Sequence, residues 1–247
     1  MSEYTKGLEE FWVKNCRVQT MSIVYEDSMF GTNGMRRMME VCEQNAIEIK
    51  QIISYDKDRA SGTYFRPLVA MLTDDPPDVV YMISYLKDAI ALVKTIRELK
   101  IKSMLCGGAG GFTHEDFIKG AGEDANLLLT ATLWFKNLPY PGAEVYYSQY
   151  VKLYSAKPDY HGVEAYSALM VVADALRRAT SLSPETIRQA LAGTYMGTPF
   201  GPVKFYSYFD FERQNSVRTQ VLQVVNGEFQ CVWPPDLATA KFILPDK

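Results

Sequence analysis

Histidine is scarce in this chain: His114 and His161 are the only two in 247 residues, which leaves little material for imidazole catalysis or metal binding. The four cysteines, Cys16, Cys42, Cys106 and Cys231, are scattered, with no C-x-x-C pair and no zinc-finger spacing. They read as buried thiols; one disulfide is compatible with the count, and the sequence does not choose its partners. Positive charge is not in excess, and a net charge of −3 gives no electrostatic case for nucleic acid or an anionic membrane. No apolar run reaches the roughly 18 residues of a membrane span. The opening "MSEYTKGLEEFWVKN" lacks the basic segment and apolar stretch of a signal peptide. Taken literally, that start implies a cytosolic chain, or a mature or partial segment.

Several catalytic signatures are missing too. A G-x-G-x-x-G match begun at Gly108 meets Thr113 in its third position, and no G-x-x-x-x-G-K-[ST] loop exists, so no phosphate cradle is expected. His114-Glu115 is followed by Ile118 where H-E-x-x-H needs its second histidine. Glu115 and Asp116 suit the first turn of a helix instead. No G-x-S-x-G elbow is present. Cys106 at a strand end resembles a thiol nucleophile with His114 as the nearest base, but a packed thiol is the simpler reading. Glu26-Asp27 after a strand resembles a carboxylate pair, and a solvated helix-entry cap is simpler again. No metal or cofactor is expected.

What is present is an ordinary globular composition, 47% hydrophobic and 22% charged, with enough length for one large or two small domains. Short β-branched runs at 21–26, 47–55, 78–84, 102–106 and 126–134 alternate with helical spacings at 30–46, 63–75, 85–99 and 115–121. Residues 4–16 add a lead-in helix. Alternation of this kind predicts right-handed crossovers and a doubly wound parallel sheet covered on both faces, an α/β fold. The pattern then changes. Segments 142–157, 160–179 and 181–193 are helical, the second with a stripe through Val163, Tyr166, Met170, Ala173 and Leu176. The third has Ser183 as N-cap, Pro184 in its first turn and Gly193 as terminator. "GPVKFYSY" and "VRTQVLQVVNGEFQCVW" are strand-like, and Asn226-Gly227 marks a hairpin. The helices of 142–193 have apolar stripes, yet no strands are left over to receive them.

Open α/β sheets place their ligands at the carboxyl ends of the strands. The first strand delivers Phe30 and Gly31 there, the third Ser84 and Tyr85, and the fourth the run Gly107-Gly108-Ala109. An aromatic pair beside exposed backbone and a hydroxyl suits a small, partly apolar solute.

The segments "VYEDSMFGTNGMRRMMEVCEQNAIEI", "DVVYMISYLKDAIALVKTIRELKIKSMLCGG" and "YPGAEVYYSQYVKLYSAKPDYHGVEAYSALMVVADAL", with "TPFGPVKFYS" after them, carry a resemblance. In order and spacing they resemble the periplasmic solute-binding proteins of branched-chain amino acid (Leu/Ile/Val) ABC importers, with the type I periplasmic-binding-protein fold, over roughly residues 20–233. The resemblance implies two α/β lobes closing on a solute. On that pattern residues 1–136 are a complete α/β lobe, the family's second, completed by a hairpin at 214–236. Residues 137–213 then correspond to a mostly helical remnant of the first lobe, whose early part has no counterpart here.

The implied ligand contacts are Phe30, Ser84, Tyr85, Gly107, Gly108 and Ala109. Amino-acid binders of this type carry an acid after the fourth strand for the ligand's ammonium, and here that place holds Gly107, Gly108 and Ala109. A buried ammonium without a carboxylate is costly, so amides and aromatic acids join amino acids as candidate solutes. The resemblance implies a non-catalytic receptor, periplasmic in its full-length form, partnered by a membrane permease, with weak solute binding if half the clamp is lacking. Self-association through exposed helices at 160–180 is a further expectation. The alternatives are a ligand-sensing domain of a regulatory or signalling protein and, more remotely, a small enzyme using Cys106.

Overall fold

The computed structural model describes residues 4–108, 110–208 and 211–245. The chain divides into two compact units, Met1–Thr132 with Thr219–Lys247, and Leu133–Arg218. In chain order the first holds α1 (Lys6–Phe11), β1 (Thr20–Glu26), α2 (Met29–Gln44), β2 (Glu48–Tyr55), α3 (Gly62–Val69), β3 (Val79–Ile83), α4 (Leu86–Glu98), β4 (Met104–Gly107), α5 (Glu115–Ala121) and β5 (Leu129–Thr132). The second holds α6 (Ala143–Tyr154), α7 (Tyr160–Arg178), α8 (Pro184–Ala192) and four short strands, β6 (Tyr195–Gly197), β7 (Pro202–Lys204), β8 (Tyr206–Tyr208) and β9 (Phe211–Gln214). The chain then returns to the first unit with β10 (Gln220–Val225) and β11 (Glu228–Trp233).

Seven strands form one sheet in the order β11-β10-β5-β4-β3-β1-β2, parallel from β2 to β5 and antiparallel at β10 and β11. Strand alternation divides its side chains between two cores. Val24, Val80, Met82 and Leu105 face α3, α4 and α5, against Phe65, Val69, Leu92, Ile96 and Phe117. Met21, Ile23, Val79, Tyr81 and Cys106 face α1 and α2, against Leu8, Phe11, Met38 and Val41. Both faces are therefore covered, and every residue of β3 is buried, as an all-apolar "VVYMI" requires of a central parallel strand. The β10–β11 turn uses Asn226 and Gly227 at φ 51° and 78°, the paired positive φ of a tight hairpin.

Some boundaries differ from the sequence reading. The lead-in helix is α-helical only to Phe11 and then widens to a π turn over Trp12–Cys16. The helix at 63–75 ends at Val69, two residues beyond the internal Pro67, and tightens to a 3₁₀ turn over Ala70–Leu72. The strand-like "GPVKFYSY" is split between two small antiparallel pairs, β6–β7 and β8–β9, because Phe205 breaks the run.

Within the second unit, α7 is apolar on two opposite sides. Tyr160, Val163, Ser167, Val171 and Ala175 are buried, whereas Tyr166, Leu169, Val172 and Leu176 stand exposed at three- and four-residue steps. The stripe read from the sequence therefore splits, Val163 turning inward and Tyr166 and Leu176 outward. Among its described residues α8 buries none.

Candidate functional site

Two loops at the carboxyl edge of the parallel strands carry the aromatic residues. After β1, Ser28 caps α2, its Oγ accepting the Gly31 N–H at 3.2 Å. The chain folds so tightly here that a Cβ on Gly31 would lie 2.0 Å from the Glu26 carbonyl oxygen. That turn puts Phe30 in the first turn of α2, half-buried against the α1–α2 core. After β3, Tyr85 is the N-cap of α4 in extended backbone geometry and donates no side-chain cap. The residue is 56% exposed. The Phe30 and Tyr85 rings meet at a centroid distance of 5.0 Å, tilted by 32°, within the range of favourable aromatic pairs.

The β4–α5 loop closes against this pair. Gly110, at φ 63°, has Phe30 Cζ 3.6 Å and Tyr85 Cδ1 3.8 Å from where a Cβ would sit. The Gly111 N–H donates to the Ser84 carbonyl at 3.1 Å, and a Cβ on Gly111 would approach the Tyr85 and Leu86 backbone to 2.4 Å. The sequence reading took the glycines at 107–111 as a loop that lets a ligand approach the backbone, but drew its contacts from Gly107, Gly108 and Ala109 and not from Gly110 or Gly111. Only a contact between loops distant in sequence shows their role, although a second pair of glycines after a strand was a visible signal.

Other candidate residues lie deeper. Gly107 and Gly108 are buried, and their Cβ positions would fall 2.1 Å from the Phe112 ring and 1.9 Å from the Tyr81 hydroxyl. Ser84 is fully buried and its Oγ has no hydrogen-bond partner. Ala109 lies outside the described residues. The structure thus brings Phe30, Tyr85 and Gly110 together at the surface and encloses Ser84, Gly107 and Gly108 behind them.

Glu26 is not a solvated cap. It is fully buried, while its neighbour Asp27 is exposed. Strand parity explains the difference: Glu26 follows Val24 by two residues, on the face packed by α4, and sits in register with Tyr55. Its Oε1 accepts the Ser28 hydroxyl at 2.5 Å, and its Oε2 is buried without a hydrogen-bond partner. Burial pushes its carboxyl above the usual range, with Asp88 adding to the rise and the Ser28 hydroxyl and the Tyr85 N–H opposing it. Asp88, in the first turn of α4, is buried, accepts the Tyr55 hydroxyl at 3.4 Å and is raised by the same cause.

The remaining chemical groups are occupied structurally. His114 Nδ1 accepts the Asp116 N–H at the start of α5, and His161 Nδ1 pairs with Asp159, the N-cap of α7. All four cysteines are free thiols, and burial pushes Cys16 up to about 12, Cys42 up to about 11 and the fully buried Cys106 well above the ordinary thiol range. A nucleophilic thiol needs the reverse environment. Among the described residues no His, Cys, Asp and Glu cluster could hold a metal, and no helix is long and apolar enough to cross a membrane. In the second unit a groove of about 530 Å³ runs between α6 and α7, walled by Tyr146, Tyr150, Tyr154 and Tyr166 with Pro141 and Met170.

A family profile described as periplasmic binding protein matches residues 4–228. The Leu/Ile/Val-binding protein homolog 8 of Brucella melitensis is 22% identical over 246 residues, covering 96% of this chain and 60% of its own length. The chain thus spans about 60% of the length of the curated relatives it matches. Among solved structures, the branched-chain amino acid transporter substrate-binding protein of Streptococcus pneumoniae, in complex with isoleucine, superposes with a TM-score of 0.78 at 16% identity, over 92% of this chain and 63% of that one. A solute-binding protein of an ABC transporter from R. palustris, in complex with benzoate, gives 0.75 at 13% identity, over 94% and 62%. At these identities the two structures show a shared fold.

Proposed function

This chain belongs to the periplasmic binding protein family, and from that premise we propose that it holds a small organic solute, without transforming it, as part of the receptor of an ABC importer. The observation that carries the reading is the Phe30–Tyr85 ring pair at 5.0 Å, presented by two loops at the strand ends with Gly110 beside it. An open α/β sheet binds ligands at that edge. The half-sunken Phe30 fixes the platform, and the exposed Tyr85 offers a face and a hydroxyl to a partner that is apolar on one side and polar on the other.

The chemistry of the edge narrows the solute. The end of β4 and the loop after it contribute Gly107, Gly108 and Ala109, none of which carries charge. Glu26 and Asp88 are turned inward and buried. An ammonium group brought to this platform would meet no solvent-facing carboxylate from those positions, and a buried cation without a partner is costly. Aromatic acids and amides suit it better than free amino acids. The benzoate held by the R. palustris protein supports that choice by analogy of fold.

The wider setting follows the family: a periplasmic receptor delivering its solute to a membrane permease, with residues 1–136 and 214–236 as one ligand-gripping lobe and 137–213 as part of the other. The exposed side of α7 also supports self-association through residues 160–180.

Calorimetric titration of the purified chain with benzoate and with isoleucine tests the reading. Benzoate is expected to bind and to lose at least about tenfold in affinity in Tyr85→Ala, the cost of truncating a central aromatic contact. Absence of measurable binding to benzoate, isoleucine and a panel of small aromatic amides at millimolar concentration would overturn it.

A further inference from the structure

The groove of the second unit is untouched by the solute reading. Tyr146, Tyr150 and Tyr154 recur every four residues along one face of α6, and Tyr166 of α7 joins them as a wall of the groove. Among its described residues α6 buries only Ala143, so these tyrosines line a surface and do not fill an interior. Between ring centroids, Tyr146 lies 5.8 Å from Tyr150 and 5.1 Å from Tyr166, and Tyr150 lies 4.7 Å from Tyr154. The three pairs are tilted by 42°, 46° and 49°. They are neither stacked nor edge-to-face, so the rings open as a trough and leave their faces unspent on one another.

The trough is held from behind. The buried Trp134 meets Tyr146 edge-on at 6.2 Å, and its Nε1 donates at 2.9 Å to the carbonyl of Pro199, a residue of the groove wall. Gly162 lies at the foot of α7, where a Cβ would fall 3.0 Å from the Tyr146 hydroxyl. Its N–H donates to Asp159 Oδ1 at 3.2 Å, which brings a carboxylate one hydrogen bond from the groove. The other oxygen of Asp159 is 2.7 Å from His161 Nδ1. A carboxylate only accepts, so His161 donates and Asp159 keeps its negative charge.

Charge decides the class of ligand. Among the described residues neither lysine nor arginine lines the groove, so an anion would find no partner there. The faces of tyrosine rings carry the negative side of their quadrupole and attract a weakly hydrated cation. The volume of about 530 Å³ is in the range of small-molecule sites. We propose that the groove between α6 and α7 is a second binding site, for a small organic cation of the quaternary ammonium type, seated on the rings of Tyr146, Tyr150, Tyr154 and Tyr166. It uses no residue of the Phe30–Tyr85 platform and does not rest on the solute reading.

The test is calorimetric titration of the whole chain with choline and with dimethylbutanol, its uncharged carbon isostere. Choline is expected to bind at least about tenfold more tightly than the isostere, the share that ring faces give to a cation. Tyr150→Leu, which keeps apolar bulk without the ring, is expected to lose about fivefold or more in choline affinity, and Tyr150→Phe to stay within about twofold. If Tyr150→Leu does not fold, Tyr154→Leu decides, since Tyr154 is exposed. No choline binding at tens of millimolar, equal binding of the isostere, or affinity unmoved by loss of the ring overturns the proposal. Choline binding that disappears in Tyr85→Ala assigns the cation to the strand-end platform and overturns it too. So does choline affinity that falls as protein concentration rises, which would give the groove to a second copy of the chain. Failure of benzoate to bind leaves all of these results intact and sinks only the solute reading.

Discussion

Tyrosine is a poor N-cap. Tyr85 occupies that position on α4 in the extended geometry of a cap yet supplies no side-chain acceptor for the orphan N–H groups, where Ser, Asp or Asn would add about 1 kcal/mol. The ring makes instead the contact with Phe30 at 5.0 Å, and a local rule broken in this way supports the proposed binding role. The exchange Tyr85→Ser gains a cap and loses that ring contact, effects of similar size, so it is expected to shift the melting temperature by no more than about 2–4 °C while lowering the affinity of the proposed solute at least about tenfold; a larger fall in melting temperature would mean that the ring supports the fold. Gly108 is the converse case. A Cβ there would lie 1.9 Å from the hydroxyl of the buried Tyr81, so Gly108→Ala is expected to lose about 1–3 kcal/mol in denaturant unfolding through overpacking. The acid pair adds a dependence on pH. Glu26 and Asp88 are both raised on folding, so the folded state holds protons more tightly than the unfolded chain. Their contribution is favourable below the ordinary carboxylate range and is lost as pH rises through the raised values. Urea midpoints should therefore fall as pH climbs from about 4, and Glu26→Gln should flatten that slope.

At the scale of the element, the sequence was most informative where periodicity is unambiguous. The short, valine-rich run "VVYMI" reads as a strand buried on both faces by its length and composition, and the Asn226-Gly227 pair reads as a hairpin turn. Ser183 and Pro184 likewise mark the start of α8. What stayed hidden depends on contacts between segments far apart in the chain. The burial of Glu26 requires knowing that α4 covers that face of β1, and the role of Gly111 requires knowing that its loop meets Tyr85. Periodicity also could not divide the apolar residues of α7 between its two sides, because both sides are apolar. The exposed side, Tyr166, Leu169, Val172 and Leu176, recurs at three- and four-residue steps along one side of the helix, the kind of patch that supports the proposed self-association. Leu169, 67% exposed, is the sensitive position. Sedimentation of the unaltered chain should show concentration-dependent association, and Leu169→Glu should leave it monomeric with an unchanged circular dichroism spectrum; identical sedimentation of the two would remove α7 from any interface.

For the molecule as a whole, the two units make unequal claims to independence. The first has both faces of its seven-stranded sheet covered by its own helices and two cores of its own. Its two chain segments meet at adjacent antiparallel strands, with Thr132 directly opposite Gln220. Residues 133–218 leave and re-enter the unit at neighbouring points, the geometry of an ordinary hairpin end. Joining Thr132 to Thr219 through a short Asn-Gly-type turn would convert β5 and β10 into a hairpin without disturbing the register of any strand. The resulting chain keeps β1, β3, β4 and the loops bearing Phe30, Tyr85 and Gly110. It is expected to unfold in one cooperative transition, because both cores of the first unit lie within it. A shortened chain that does not fold would show that the two units form a single cooperative body.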